Sequence, residues 1–463
     1  MYNIIERLAP FVKSSLELKP NHSLGYSKKY FRKFFRKRIL GYQLSKIKKC
    51  IRHSYNNSKY YHNLFKREGL KPSDIKTISD LTKIPYTQSD DLQNDPESFF
   101  TVPEEKFFKV FSSAGSSGEP KKAYFTKRDI DKIVRSTAVG GKLMYGINSK
   151  DVIRITFAEG YGVEVWGNRY LMDRAYKELL GAKTITTDRL PVEKELEIIK
   201  EHNPTIFADV TSRINYLTHE LKKLTDLKQL GIKKILLGAE PTPESLRKTI
   251  EEAWNADAYI GYGITEVGLL MAGECEKKKG MHLAETMFFT EVVDPKTGEQ
   301  LEDGEVGKLI FTTFDREGMP MIRYNSNDLG RIIPEFCDCG LPLRRIEIKG
   351  RTDDLIPIGS GDNLFTKRFD EAIFSIPEIL EYQIMFDRKE GKDIISITAE
   401  SNVINDVVRK KIENAVIEMP EIKNGIESSK TIAKPIVKLV KSNTFERDSI
   451  KFKRLVDNRN LYD

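Results

Sequence analysis

The chain is predicted to fold as an α/β protein: a large N-terminal part of layered β-sheets covered by helices, then a small C-terminal α+β domain. Three observations predict this. Short apolar runs alternate with helical periods between Asp151 and Glu266, the pattern of strands covered by helices. Between Met287 and Ile333 the texture turns strand-like, with turn signals at 294–299 and 302–305. At 463 residues the chain also exceeds what one hydrophobic core usually serves.

The elements follow in order. From Gln43 to Glu68 the spacing is helical, with Ile47, Ile51 and Tyr55 at i, i+4 and i+8. Lys127 to Val139 reads as a helix and Asp151 to Phe157 as a strand. Leu190 to His202, Ser212 to Leu224 and Pro243 to Trp254 read as helices, separated by the short strands Thr205-Ile206-Phe207 and Lys234 to Leu237. Pro241-Thr242-Pro243-Glu244-Ser245 is a helix start. Gly350 marks a boundary, and the remaining ~110 residues make about one small domain. There is no internal repeat or low-complexity tract.

With 39% hydrophobic and 31% charged residues, the chain buries sizeable cores under a charged surface. No run approaches the roughly 18 apolar residues of a membrane span, and Met1-Tyr2-Asn3-Ile4-Ile5-Glu6-Arg7 lacks the blocks of a secretory signal. A cytoplasmic protein is expected. The net charge of +8 is modest, yet eleven Lys or Arg and no acid lie between Lys28 and Arg52, interleaved with Tyr30, Phe31, Phe34 and Phe35. Such a stretch fits a membrane-surface helix or a nucleic-acid patch. It fits equally a helix docked through Phe31, Phe34, Phe35 and Leu40 with its cations in water, and that is the reading adopted here; no nucleic-acid partner is expected.

The most telling stretch is Phe111-Ser112-Ser113-Ala114-Gly115-Ser116-Ser117-Gly118-Glu119-Pro120-Lys121. Glycines let the main chain approach an anion, and Ser113, Ser116 and Ser117 add hydroxyl donors, so it reads as a phosphate cradle. The spacing is neither G-x-x-x-x-G-K-[ST] nor G-x-G-x-x-G, and taken alone it competes with a Gly/Ser surface loop. Further segments follow in order: Gly238-Ala239-Glu240-Pro241 after the apolar Ile235-Leu236-Leu237, then Tyr259-Ile260-Gly261-Tyr262-Gly263-Ile264-Thr265-Glu266. Arg323-Tyr324-Asn325-Ser326-Asn327-Asp328 and Lys349-Gly350-Arg351-Thr352-Asp353-Asp354 come downstream.

Four cysteines in a chain without a secretory signal do not suggest a disulfide framework. Cys275 and His282, together with Cys337 and Cys339, supply a Cys3His set, the donors that tetrahedral zinc favours; four protein ligands close the ion to water and argue for structure over catalysis. The competing reading is unlinked buried thiols and a loop histidine, since these spacings are not a standard finger. Cys50 is left over as a small buried side chain.

The ordered series resembles the adenylate-forming superfamily and, within it, the phenylacetate-CoA ligase-like group. The resemblance runs from about Gln43 to the C-terminus and includes Ser54-Tyr55-Asn56-Asn57-Ser58-Lys59-Tyr60-Tyr61 and Ile84-Pro85-Tyr86-Thr87. It implies an AMP-forming ligase: a carboxylate attacks the α-phosphate of ATP, and the acyl-adenylate is passed to a thiol, usually CoA. An acceptor other than CoA (a carrier protein or amine), or a nucleotidyltransferase that stops after AMP transfer, is the alternative. A binding protein without turnover is a third class, opposed by intact Glu266, Asp328, Arg351 and Lys451.

By the same resemblance, Ser113, Gly115, Ser116, Ser117 and Gly118 hold the β and γ phosphates. Gly238, Ala239 and Glu240 border the adenine, with Tyr262 against its face and Gly263 beside it. Thr265 contacts the α-phosphate, Glu266 holds Mg2+, Asp328 accepts the ribose hydroxyls, and Arg351 donates to ribose or phosphate. Lys451 is the catalytic lysine, cationic at neutral pH, delivered by a mobile C-terminal domain that hinges at Asp353. Gly359-Ser360-Gly361 is the loop that enters for thioester formation. The implied division is 1–352, with a basic helical arm over 1–42, and 353–463. Some members of the group carry structural zinc in the Cys3His region.

The chain departs from the group's pattern at Ala114, Asn325, Asn327 and Ile450, the last leaving Lys453 as the alternative lysine. A small carboxylic acid, by default aromatic, is the expected substrate, and a homodimer is open. Phe157 to Gly167 and Phe207 to Thr211 fall near the acyl pocket and contain Glu159, Glu164, Trp166 and Asp209. A carboxylate lining that pocket would select an amine or hydroxyl on the acid; the other reading has these acids facing solvent or capping helices.

Overall fold

The computed structural model describes residues 25–113, 121–157, 164–165, 167–359, 362–445 and 454–459. Helix α1 (Gly25–Asn57) buries Phe35, Ile39, Gln43, Ile47, Cys50, Ile51 and Ser54, a stripe at three- and four-residue spacing. Acids of the body hold its basic side: Arg36 donates to both oxygens of Glu285 at 2.6 and 2.7 Å, and Lys46 pairs with Asp315. From Phe34 onward the basic segment is therefore a docked helix. Phe35 belongs to the buried stripe, whereas Phe34, one position off it, is 49% exposed. Helices α2 (Lys59–Arg67) and α3 (Ser89–Asn94) follow. Ser58 caps α2, accepting from the Tyr61 N–H and donating to the Ser98 carbonyl at 2.8 Å.

Strands β1 (Phe107–Ser112) and β2 (Lys122–Thr126) pair antiparallel, so the ends of the intervening loop are brought together. The Ser113 N–H donates to the Lys121 carbonyl at 2.9 Å, and the Lys121 N–H to Ser113 Oγ at 3.0 Å. Helix α4 (Lys127–Tyr145) starts directly after β2 on a reciprocal cap between Thr126 and Asp129. The predicted alternation then unfolds as β3 (Val152–Ile155), β4 (Glu164–Val165), α5 (Asn168–Arg174), β5 (Lys183–Thr186), α6 (Val192–His202), β6 (Ile206–Val210), α7 (Thr211–Leu221), β7 (Lys234–Gly238), α8 (Glu244–Trp254) and β8 (Asp257–Tyr262). Every residue of β6 is buried, as suits a parallel strand covered on both faces.

Six further strands, β9 (Ala272–Glu274), β10 (Met281–Leu283), β11 (Phe288–Val293), β12 (Gly307–Thr313), β13 (Tyr324–Ile333) and β14 (Arg345–Arg351), extend the same sheet. Its order is β11-β12-β13-β14-β10-β9-β8-β7-β6-β3-β5. Strands β8, β7, β6, β3 and β5 run parallel, and the direction reverses where Tyr262 of β8 pairs with Ala272 of β9. A change of strand sense at the carboxyl ends of parallel strands opens a crevice where open α/β sheets bind ligands.

The large sheet ends at Arg351, and a single 3-10 turn, Thr352–Asp354, leads into the hairpin of β15 (Leu355–Ile358) and β16 (Asp362–Phe365). Helix α9 (Thr366–Phe374), the long hairpin of β17 (Ile379–Lys389) and β18 (Lys392–Ser401), helices α10 (Asp406–Ile417) and α11 (Pro420–Glu427), and strands β19 (Ile436–Val440) and β20 (Leu455–Asp457) complete an α+β unit. Its sheet order is β19-β18-β17-β20. This unit leans on the large one: the Glu371 carboxylate accepts the N–H groups of Glu244 and Ser245 at 2.7 and 3.2 Å, capping α8 from across the junction. Asn215 Nδ2 donates to the Leu380 carbonyl at 2.8 Å. Among the described residues no helix is long and apolar enough to cross a membrane.

One ion pair lies wholly inside the parallel half. Arg154 of β3 donates to the two oxygens of Glu195 at 2.7 and 2.9 Å and to Thr187 Oγ1 at 2.7 Å, with both side chains essentially inaccessible. Arg154→Met, which strands the Glu195 charge, is expected to lower stability by about 3–5 kcal/mol, and adding Glu195→Leu to recover much of it; urea unfolding of both variants is the measurement.

Candidate active site

The crevice at the strand reversal opens into a cavity of ≈ 1130 Å³ that residues of both units line, among them Gly238, Tyr262, Glu266 and Asp328 from the large unit and Asp370 and Glu371 from the small one. Two adjacent parallel strands deliver its centre. Gly238 ends β7, and a Cβ there would touch the Gly261 carbonyl of β8 at 3.4 Å; Ala239 follows at φ +64°. Glu240, also on the lining, accepts from the Ser212 N–H at 2.9 Å and Ser212 Oγ at 3.0 Å. Its charge is therefore committed to the first turn of α7.

At the end of β8 the Tyr262 hydroxyl donates to Asp328 Oδ2 at 2.5 Å. Burial, and then the Asp328 charge, push the Tyr262 phenol far above its ordinary range, so it stays a donor. Asp328 on β13 faces Arg351 on β14 in the sheet register, with a guanidinium nitrogen 4.0 Å from Oδ1. Three residues predicted from separate segments, Tyr262, Asp328 and Arg351, thus form one polar group on the cavity wall.

Thr265 and Glu266 follow on the loop after β8, both buried. Glu266 Oε1 accepts from the Tyr324 hydroxyl at 2.9 Å and lies 3.7 Å from Lys121 Nζ. Arg316 holds the loop from behind, donating to the Glu266 carbonyl and to the Val267 carbonyl at 3.2 Å with its guanidinium 4.0 Å over the Phe125 ring. Burial pushes Arg316 down to about 10, which leaves it cationic at neutral pH. Lys121, Arg316 and Tyr324 were not assigned from the sequence. Lys121 and Tyr324 sit inside motifs that were read, but their partner, Glu266, lies far away along the chain.

Ser113 and Lys121 both line the cavity. The predicted phosphate donors Gly115, Ser116, Ser117 and Gly118, and Lys451 with its alternative Lys453, lie outside the described residues. So do Glu159 and Trp166.

The Cys3His set does converge. Cys275, His282, Cys337 and Cys339 are buried, and their ligand atoms all lie within 4.8 Å of one another. Cys275 and Cys337 sulfurs are 3.6 Å apart and Cys339 Sγ is 3.3 Å from His282 Nε2. The other ring nitrogen of His282, Nδ1, lies 3.2 Å from the Leu343 carbonyl, which leaves Nε2 for the cluster. Sulfurs bound to one tetrahedral zinc at about 2.3 Å stand just under 4 Å apart, so the donor set fits such an ion. Cys50 lies elsewhere, its thiol pushed up to about 12 by burial.

Asp209, at the end of β6, does not line the cavity. Fully buried, its carboxylate accepts from Thr156 Oγ1 at 2.5 Å and the Val210 N–H at 2.7 Å. Burial raises it to about 6 against the lowering effect of Arg189.

The sequence comparisons agree with this geometry. Residues 45–313 match the family model described as AMP-binding enzyme, and residues 361–459 match the AMP-binding enzyme C-terminal domain. The chain is 33% identical over 429 residues to phenylacetate-coenzyme A ligase of Aromatoleum evansii, covering 90% of this chain and 94% of the relative. It is 32% identical to that of Escherichia coli, over 77% and 81%. Among solved structures, 2-hydroxyisobutyryl-CoA ligase in the postadenylation state, with 2-HIB-AMP, superposes with a TM-score of 0.78 at 21% identity over 90% of this chain and 89% of that one. The same enzyme in the thioesterification state gives 0.64, covering 92% and 90% at 21% identity. Fold and site define an adenylate-forming enzyme. The chain belongs to the AMP-binding enzyme family, within its phenylacetate-CoA ligase-like group.

The Asp209 carboxyl provides a check on the site's frame. Its folded value lies above that of an unfolded Asp, so the folded state binds the extra proton, and stability falls as pH rises from about 4 through about 6. Asp209→Asn is expected to lack that fall, so the stability of the natural chain relative to this variant should drop across that window and level off above it; urea midpoints from pH 4 to 7 measure it.

Proposed function

We propose that this chain is an AMP-forming acid–CoA ligase for an aromatic carboxylic acid, joining the acid to ATP as an acyl-adenylate with release of pyrophosphate and then to the thiol of CoA. One observation carries the reading: the carboxyl ends of β7 and β8 and the Asp328–Arg351 pair open onto a single cavity that small-unit residues also line. Neither half-reaction needs a covalent enzyme intermediate, so catalysis rests on alignment and charge neutralisation.

Each residue has a part in that scheme. Asp328, fixed by the Tyr262 hydroxyl, accepts the ribose hydroxyls, and Arg351 donates beside it. Gly238 and Ala239 offer backbone at the adenine edge, with Tyr262 and Gly263 against it. Glu240 acts there through its hold on Ser212. Thr265 donates to the α-phosphate. Ser113, Gly115, Ser116, Ser117 and Gly118 enclose the outer phosphates. Glu266 is a buried hard-oxygen donor and suits Mg2+; that ion, when bound, neutralises phosphate charge. Lys451, carried by the unit beyond residue 352, neutralises charge developing between carboxylate and α-phosphate. The Cys3His cluster is proposed to hold one zinc that staples the loop 337–339 to strands β9 and β10. Cytoplasmic localisation accords with four buried cysteines that form no disulfide.

Pyrophosphate release across a panel of carboxylic acids, with and without CoA, tests the activity. Acid-dependent release with a CoA thioester by mass spectrometry is the expected result; release without the thioester points to a carrier protein or amine as acceptor. Lys451→Ala is expected to lower adenylation on the order of 100- to 1000-fold while sparing thioester formation from preformed adenylate. Elemental analysis should find one zinc per chain, and Cys337→Ser should lose it together with several degrees of thermal midpoint.

A further inference from the structure

Beyond the nucleotide-facing residues the cavity continues between α4 and α5, which pack on each other. Phe157, Met172, Tyr145 and Tyr176 give this lobe an aromatic and apolar wall. Its width depends on Gly141 of α4, where a Cβ would stand 2.5 Å from Tyr176 Cε1.

Two polar side chains interrupt that wall. Thr137 of α4 and Asn168, the first residue of α5, are 7% and 8% exposed. Both line the cavity, and among the described residues neither Thr137 Oγ1 nor Asn168 Oδ1 has a hydrogen-bond partner. A buried polar group left unpaired is destabilising, so two such groups on one lobe mark a place where a ligand completes the bonding.

Among the described residues, the charges near the lobe are already committed. Asp209 is withdrawn behind Thr156, Glu240 is bound to Ser212, and Glu274 accepts the Ile260 N–H at 2.9 Å and faces Arg247. Burial pushes the Tyr145 and Tyr176 phenols upward, so they stay neutral. Against the described residues, an ammonium or a second carboxylate on the acid would be buried here without a counter-charge, which is strongly disfavoured. A hydroxyl both donates and accepts, and therefore satisfies a threonine hydroxyl and a carboxamide whichever end of the amide faces it.

Resting on the ligase reading above, we propose that the acid is a hydroxy-substituted aromatic acid whose ring hydroxyl is bound by Asn168 and Thr137. A lobe built to pair a hydroxyl rejects the analogue that lacks it, because its own polar groups then remain unpaired.

The test compares phenylacetate with its ring-hydroxylated isomers. In pyrophosphate release, the best hydroxylated acid should exceed the parent in kcat/KM by at least about tenfold. Asn168→Leu and Thr137→Val should each move that ratio toward one, while Thr137→Ser, which keeps the hydroxyl, should preserve it. Thermal midpoints confirm that the variants fold. A parent acid that equals or beats every hydroxylated isomer, or a ratio that neither variant moves, overturns the proposal. Should no acid release pyrophosphate, the ligase reading fails separately. Calorimetric titration of the same acids into the protein then decides the lobe by itself: preferential binding of a hydroxylated acid, lost in Asn168→Leu, supports it, and equal binding or none overturns it.

Discussion

The segment after β8 folds back so tightly that a Cβ on Gly263 would lie 1.2 Å from the Leu269 carbonyl oxygen. Only glycine fits there, and the whole site depends on that contact. The Met271 N–H bonds to the Tyr262 carbonyl and the Gly268 and Leu269 N–H groups to the Ile264 carbonyl, so 263–271 is a closed turn. It presents Thr265 and Glu266 at the carboxyl edge of the parallel strands, at the point where the sheet changes sense. Without it, the end of β8 would carry Tyr262 alone.

Around this turn the protein concentrates buried charge. Arg316 reaches the carbonyls of Glu266 and Val267, Tyr324 reaches the Glu266 carboxylate, and Asp129 receives the N–H groups of Glu317 and Gly318. Farther out, Glu285 joins Arg36 of the N-terminal helix to Arg344, and Glu291 pairs with Arg323. Such pairs add little net stability relative to apolar side chains of the same shape, yet they penalise any arrangement that separates them. The basic helix is thereby held in one seat against the antiparallel half of the sheet.

The junction between the two units follows a different logic. Glu371 caps α8 from the small unit, an exposed contact of modest strength, while Arg454 binds Glu381 and Asp370 inside the small unit itself. Buried apolar side chains also continue across the seam, where Phe207, Ile214 and Trp254 of the large unit share one core with Phe369, Phe374 and Ile379 of the small one.

The sequence by itself determined the alternation of strands and helices, the order of the motifs, and hence the family. Those signals are local: glycine where backbone must approach, apolar runs of strand length, a proline at a helix start. It also singled out Tyr262, Asp328 and Arg351, which the fold brings together on one cavity wall, and the four residues of the Cys3His cluster. Only the tertiary structure decided who meets whom. Tyr324 reaching Glu266 depends on loop geometry around an eleven-stranded sheet, the Glu240 carboxylate binding Ser212 on a helix start that faces it, and Asp209 withdrawing behind Thr156 on the register of β3 and β6. Thr137 and Asn168 carry no motif at all. They become informative only when burial removes water and no neighbour replaces it, a property of packing that no local pattern of residues encodes.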